Sequence, residues 1–267
     1  GYGYSDRGRE ALDKVVAESF GAEDALIRHS FSCGTHTLGT ALFGVLRPGD
    51  TMLSVTGRPY DTICPVIGIS GEKGQGSLAD FGIHYKQVDL TGEGKLDLDG
   101  IQDALRADPT VRLVYFQRSR GYTLRPSLSA EEIGRAAEAV KKVSDAVVMV
   151  DNCYGEFVQT VEPTETGADL IAGSLIKNPG GGIAPCGGYI AGKKEWIEQC
   201  AYRMTVPGLG REVGASLGNN RELFMGFFNA PHVTGEALKT AVFAAALFEH
   251  GYIVAGVQHR PGQVVPY

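Results

Sequence analysis

A lone lysine, Lys177, ends the apolar run Asp169-Leu170-Ile171-Ala172-Gly173-Ser174-Leu175-Ile176, and Asn178-Pro179-Gly180-Gly181-Gly182 follows at once. Proline and glycines cannot prolong a strand or a helix, so the amine is expected at the rim of a sheet, walled by backbone. Burial there disfavours the ammonium form, which leaves a nucleophile and a base. That is the chemistry of an amine condensing with a carbonyl.

Four other positions have residue types that suit the same chemistry. Asp151 closes the apolar run Ala146-Val147-Val148-Met149-Val150, and a carboxylate there could pair with a protonated ring nitrogen and keep the ring an electron sink. Alone, such a residue more often caps a turn, here with Asn152. Ser174 stands three positions before Lys177 and could give a hydroxyl to a phosphate, although buried serines commonly bond backbone. Residues 32–37, Ser-Cys-Gly-Thr-His-Thr, open a helical pattern whose free N–H groups and dipole favour an anion; ordinary capping fits them equally well. Tyr60, after the bend of Gly57 and Pro59, could stack on a ring or donate a proton. As a set they read as a pyridoxal phosphate site, with Lys177 as the Schiff-base lysine.

The elements that must hold these residues alternate. Residues 9–20 have helical spacing and stop at Gly21, and a short apolar segment, 25–27, leads to the small-residue stretch. Strand-like segments fall at 51–55, 84–90, 112–117, 146–151, 169–173 and 188–191. Helices are expected from about 37 to 46, near 98–106, from the capping box Ser129/Glu132 to about 143, and beyond 195. Residues 71–80 read as a loop. Residues 217–250 read as long helical runs interrupted at Pro231, and 251–267 show little periodicity. Strands alternating with helices imply an α/β fold, a mostly parallel sheet flanked by helices on both faces. Ligands of such sheets bind at the carboxyl ends of the strands.

Composition narrows the function classes. The chain has 267 residues, 43% hydrophobic and 21% charged, with a formal charge of −6. That acidity disfavours nucleic acid and anionic lipid, and no apolar run reaches the roughly 18 residues of a membrane helix. The five cysteines form no C-x-x-C pair, so a metal site is not expected and a reducing cytoplasm is. His29 and His36 read as structural or solvated. There is no phosphate loop of the G-x-x-x-x-G-K-[ST] kind, and 71–76 is not a dinucleotide fingerprint. The chain starts at Gly1 without methionine, so a trimmed or partial chain is expected.

In its order of anion-binding helix start, aromatic, strand-end aspartate, serine and lysine, the chain resembles the fold-type I pyridoxal phosphate enzymes of cysteine and methionine metabolism. Val148-Met149-Val150-Asp151-Asn152-Cys153-Tyr154 and Ser174-Leu175-Ile176-Lys177 look like the V-V-V-D-N-x-[FY] and S-x-x-K segments of the methionine gamma-lyase family. Residues 1–9, 32–38, 46–50 and 57–62 resemble its aluminium-resistance subgroup. The resemblance implies that Lys177 carries the cofactor and Asp151 binds its ring nitrogen. Gly34 and Thr35 would offer N–H groups to the phosphate, Ser174 a hydroxyl, and Tyr60 would stack on the ring. Tyr4 and Arg7, in a Y-S-x-R variant of the family's Y-S-R, would reach the phosphate of a neighbouring subunit, implying a homodimer or homotetramer with shared active sites. Asp6 is the inserted residue. The family's asparagine near the cofactor falls about Gly121, with Arg118, Arg120 or neither as its stand-in.

The implied activity is a carbon–sulfur lyase acting on a small sulfur amino acid. It would be an α,γ-elimination, or a β-elimination on cysteine or cystathionine, with Lys177 as base and Tyr60 as acid. Alternatives are an aminotransferase, a cysteine desulfurase, or a cofactor-binding protein without turnover. Residues 1–215 would form the cofactor-binding large domain. Residues 216–267 would be a helical connection and the start of a C-terminal small domain that is incomplete or absent.

Overall fold

The computed structural model describes residues 3–249. Seven strands form one sheet: β1 (Asp24–Arg28), β2 (Thr51–Ser54), β3 (His84–Gln87), β4 (Val111–Gln117), β5 (Val147–Asp151), β6 (Leu170–Ser174) and β7 (Gly188–Gly192), in the order β1-β7-β6-β5-β4-β2-β3. Pairing is parallel from β3 across to β6, while β7 runs antiparallel to both β6 and β1. The mostly parallel sheet expected from alternation is therefore present, and the apolar segment 25–27 is its edge strand. The strands at 51–55 and 84–90 end earlier than their sequence pattern, at Ser54 and Gln87.

Both faces are covered, which explains why β4 and β5 are apolar almost throughout rather than alternating. On one face Val114, Phe116, Val148 and Val150 pack with α1 (Arg7–Ser19), α4 (Leu98–Ala107) and α5 (Ala130–Lys141) through Leu12, Val16, Ile101 and Ile133. On the other, Leu113, Tyr115, Val147 and Met149 pack with α2 (Gly34–Val45), α3 (Ile63–Ile67) and α7 (Lys194–Met204) through Leu38, Leu42, Ile67 and Ile197. The Ser129/Glu132 capping box is formed: the Glu132 N–H donates to Ser129 Oγ (3.1 Å) and the Ser129 N–H to Glu132 Oε2 (2.8 Å). A one-turn helix, α6 (Pro163–Thr166), and α3 have no helical periodicity long enough to read.

The interruption expected at Pro231 does not occur. Helix α8 (Asn220–Glu249) runs through it. A proline inside a helix costs roughly 3 kcal/mol because its ring blocks one backbone bond. Here Leu223, Phe227 and Ala230, all buried, clamp the turn before it against the sheet body. Farther along, Phe243 is 67% exposed. The stretch 251–267 lies outside the described residues.

Helix α8 also accounts for one of the glycines after Lys177, Gly181. A Cβ on Gly181 would overlap the carbonyl of Gly226 in α8, and one on Gly180 would overlap the carbonyl of Leu175. Gly181 sits at φ 55°. At Gly180 and Gly181 the turn after Lys177 and α8 approach backbone to backbone, which fixes the Lys177 turn in place.

Candidate active site

Parallel pairing brings three strand ends to one rim. Gln117 at the end of β4 lies opposite Asp151 at the end of β5, which lies opposite Ala172 of β6. Ser174 ends β6, and Lys177 follows one turn later, leading into the tight turn Asn178–Gly180. The chain between Asp151 and Lys177 returns through α6, so residues 26 apart in sequence share the rim.

Lys177 is largely enclosed, and its Nζ lies 4.3 Å from the centre of the Tyr154 ring. Burial pulls its ammonium toward deprotonation, but Cys153, Asp151 and Tyr154 outweigh that and raise its pKa overall. The free amine expected from burial alone is thus corrected: in this pocket the acidic neighbours hold Lys177 protonated.

Asp151 is buried, and burial raises its carboxyl above the usual range, offset in part by the Cys153 N–H, the Tyr115 hydroxyl and the Lys177 charge. The Cys153 N–H donates to Oδ1 (3.1 Å) and Tyr115 Oη to Oδ2 (3.2 Å). These two bonds fix the carboxylate's orientation, and its raised basicity favours pairing with a cation.

Ser174 is fully buried, and its Oγ has no hydrogen-bond partner. Such an orphan costs about 1–3 kcal/mol, which a ligand oxygen would recover. It faces the start of α2, since a Cβ on Gly34 would come within 3.2 Å of the Ser174 Cβ and 3.7 Å of Cys153 Sγ. Cys33 caps this helix through Sγ, which accepts from the His36 N–H (3.4 Å), and the Thr37 N–H donates to the Cys33 carbonyl. Gly34 and Thr35 therefore stand at the positions whose N–H groups no helix carbonyl can reach. Thr35 Oγ1 pairs with Thr62 Oγ1 at 2.6 Å. The unpartnered hydroxyl, the Cβ-free helix start and the enclosed lysine together fit a phosphate-bearing carbonyl ligand.

Tyr60 stacks on Tyr122, with centroids 5.4 Å apart and planes at 28°, and its Oη donates to Tyr122 Oη at 2.9 Å. The Tyr122 bond, then burial, raise its pKa, while the Lys177 charge lowers it, so the phenol keeps its proton. Tyr4 is 57% exposed, and Arg7 is exposed at the first turn of α1. Asp6, the inserted residue, caps α1 by accepting from the Arg9 N–H (3.0 Å) and also accepts from the Ser216 hydroxyl and Asn220 Nδ2.

Of the two stand-in arginines, Arg118 does not face the rim. It is fully buried, donating to Asn152 Oδ1 (2.8 Å), Glu162 Oε2 (3.1 Å), Gln159 Oε1 (2.9 Å) and the Leu128 carbonyl. Arg120 instead lines a cavity beside Gly57 and Gln117.

Three contributors escaped the residue-type reading. Cys153 and Tyr154 face Lys177 because Tyr154 adopts φ 68°, a left-handed turn that no residue type there announces. Glu156 is fully buried, accepts from Tyr189 Oη (2.8 Å), and receives the Asn178 side chain on its carbonyl (3.0 Å). Burial pushes its carboxyl up to about 8. No residue type or spacing in 152–158 announces this.

A sheet of this order with its lysine one turn past β6 is the large-domain fold of the fold-type I pyridoxal-phosphate-dependent enzymes. The family model described as methionine gamma-lyase matches residues 1–262, and the chain belongs to that family. A carbon-sulfur lyase involved in aluminum resistance from Clostridium novyi NT is 54% identical, with a TM-score of 0.91 over 93% of this chain and 59% of its own. A putative cystathionine beta-lyase involved in aluminum resistance from Clostridium acetobutylicum is 51% identical, with a TM-score of 0.91 over 94% of this chain and 60% of its own. The uncharacterized protein YnbB of Bacillus subtilis (strain 168) is 52% identical over 250 residues, 93% of this chain and 59% of that protein. The chain thus spans about three-fifths of the length of these relatives.

Proposed function

We propose that this chain is the cofactor-binding part of a pyridoxal-phosphate-dependent carbon–sulfur lyase acting on a sulfur amino acid. The observation that carries the reading is the shared rim of an enclosed lysine, a buried strand-end carboxylate and an unpartnered buried hydroxyl beside a helix start. The family, and the names of the relatives from the two Clostridium species, support it.

Lys177 would hold the cofactor's carbonyl carbon, Asp151 its ring nitrogen, and Ser174 with the Gly34 and Thr35 N–H groups its phosphate. Tyr60 would cover the ring. Bound there, pyridoxal phosphate supplies a carbonyl for the substrate amine and an electron sink. Once Asp151 is paired with a cation, Lys177 loses one of the charges that keep it protonated. Burial then draws it toward the neutral amine that removes a proton from the substrate Cα. Tyr60, protonated and near Lys177, donates to the departing sulfur. The same residues serve elimination at Cβ or at Cγ.

Tyr4 and Arg7, both exposed, act across a homodimer or homotetramer in this reading. In this reading residues 1–215 make the large domain and 216–267 a connection from it, of which α8 (Asn220–Glu249) is the described helix. Among the described residues no helix is long and apolar enough to cross a membrane, and all five cysteines are free; we place the protein in the cytoplasm. Product analysis with methionine, cystathionine and cysteine tests the function. Keto acid, ammonia and a thiol are expected. Keto acid with pyridoxamine phosphate and no released thiol would mean a transaminase.

A further inference from the structure

Beside the rim lies a buried carboxyl that the proposed chemistry leaves unused. Glu156 is fully buried in the segment that follows Asp151. Its Oε1 accepts from Tyr189 Oη at 2.8 Å, and its Oε2 has no partner. Each of the three proposed cofactor anchors has a chain neighbour that meets this residue or its tyrosine. Asn152, next to Asp151, donates from Nδ2 to Tyr189 Oη at 3.2 Å. Gly173, next to Ser174, lies so close that a Cβ there would overlap Glu156 Oε1 and the Tyr189 ring. Asn178, next to Lys177, donates from Nδ2 to the Glu156 carbonyl at 3.0 Å. The segment after Asp151 thus meets the lysine turn twice, through the Tyr154 ring 4.3 Å from Nζ and through Glu156 on Asn178.

The ionisable groups that face Glu156 come from several elements. Tyr189 stands on β7, Glu162 at the start of α6, Cys153 in the same segment, and Lys177 in the turn after β6. Glu162 is paired with Arg118 at 3.1 Å. The end of α1 and α8 bring rings: Phe20 packs on Tyr189 and Phe157, and Phe227 packs on Phe20 and Phe157. Burial pushes the Glu156 carboxyl up to about 8, and the Lys177 charge acts against that push. Such coupling is reciprocal, so an ionised Glu156 holds Lys177 in its ammonium form.

We propose that Glu156 is a positioning residue for Lys177: it holds the turn that carries the amine, and its charge governs how readily that amine gives up its proton. The inference rests on the lyase reading, in which Lys177 is the base, and deepens it. With Glu156 protonated, one negative charge fewer faces the lysine, and the amine is freer to act. As pH rises through about 8 the carboxyl ionises and holds the ammonium, so the free amine appears at higher pH than Asp151, Cys153 and Tyr154 alone would set.

Glu156→Gln keeps the shape and the acceptor for Tyr189 and removes the charge. In the full-length chain without cofactor, pulses of acetic anhydride across pH, read at Lys177 by peptide mass, follow the neutral amine. Wild type and variant should label alike at about pH 7. Above about pH 8 the variant should label about threefold or more faster, with its midpoint at lower pH. In the protein loaded with pyridoxal phosphate, the pH midpoint of the visible absorbance band should move the same way. Wild type alone carries a second signature, since two coupled ionisations broaden its labelling curve beyond a single titration. Asn178→Ala cuts the tie to the Glu156 carbonyl and leaves the charge. It should weaken cofactor binding about fivefold, the scale of one neutral hydrogen bond, and leave the labelling midpoint in place. Profiles of wild type and Glu156→Gln that coincide above pH 8, with or without a lowered melting temperature, would overturn the proposal and make Glu156 a structural residue. A wild-type curve of one simple ionisation would overturn it too, and unchanged cofactor affinity in Asn178→Ala would refute its hold on the turn. Diverging profiles in a protein that takes up no cofactor would refute the lyase reading and keep the role of Glu156; bound cofactor and thiol release with coinciding profiles would refute that role alone.

Discussion

Replacing Asp151 with asparagine separates a cofactor-binding role from a structural one, because the two predict opposite signs. The substitution keeps shape. The asparagine carbonyl still accepts from the Cys153 N–H, now at 3.1 Å from Oδ1, and its amide can donate to Tyr115 Oη, now 3.2 Å from Oδ2. What disappears is the charge. A hydrogen bond between charged partners contributes about 1.5–3 kcal/mol, so affinity for pyridoxal phosphate should fall roughly 10- to 150-fold. Stability of the cofactor-free protein should move the other way or not at all. The Asp151 pKa is raised above 3.8 in the fold. Its stability contribution is therefore fully present below 3.8 and lost as pH rises through the folded value. At neutral pH the charged group is a cost that asparagine lacks. Lys177 loses one partner, yet Cys153 and Tyr154 remain. Fluorescence titration with cofactor and thermal melts of the cofactor-free protein measure both. Unchanged affinity together with a lowered melting temperature would refute the reasoning and make Asp151 a structural residue.

Ser174→Ala should weaken cofactor binding but leave the cofactor-free protein equally stable or up to about 1–3 kcal/mol more so, since the hydroxyl it removes is unpartnered; denaturant melts with and without cofactor read both. Glu156→Gln should flatten the pH dependence of stability between about 4.5 and about 8, because the raised carboxyl makes wild-type stability fall as pH rises through that window; urea midpoints across pH check it, and an unchanged slope would mean Glu156 ionises normally. Arg118→Met should destabilise by about 3–5 kcal/mol, as it leaves the buried Glu162 charge without its guanidinium; urea denaturation at neutral pH measures it. Gly226→Ala should lower stability through its overlap with the Gly180 carbonyl, loosening the Lys177 turn; proteolysis after residue 177 would accelerate.

Much of the architecture was legible because periodicity and capping act locally. The alternation of apolar runs with amphipathic helices foretold the sheet, and Ser129 with Glu132 foretold the start of α5. The rim was legible for a related reason: a lysine before Pro179 and an aspartate closing an apolar run both sit at ends of strands that pair in parallel. What stayed hidden depends on tertiary contact. The continuity of α8 through Pro231 comes from the packing of Phe227 and Ala230, and β7 runs antiparallel to both β6 and β1, which no residue pattern announces. Arg118 reads as a candidate ligand in sequence and is consumed by Asn152 and Glu162 in the fold. Tyr154 reaches Lys177 only because a non-glycine residue takes a left-handed turn. The protonated state of Lys177 likewise follows from neighbours brought together by that turn.

The central claim, that Lys177 is the attachment point of the cofactor, is tested most directly by borohydride reduction of the protein reconstituted with pyridoxal phosphate, followed by peptide mapping. The account predicts loss of the visible absorbance band on reduction and a single pyridoxyl label on Lys177. A label on any other lysine, or a protein that takes up no chromophore, would contradict it.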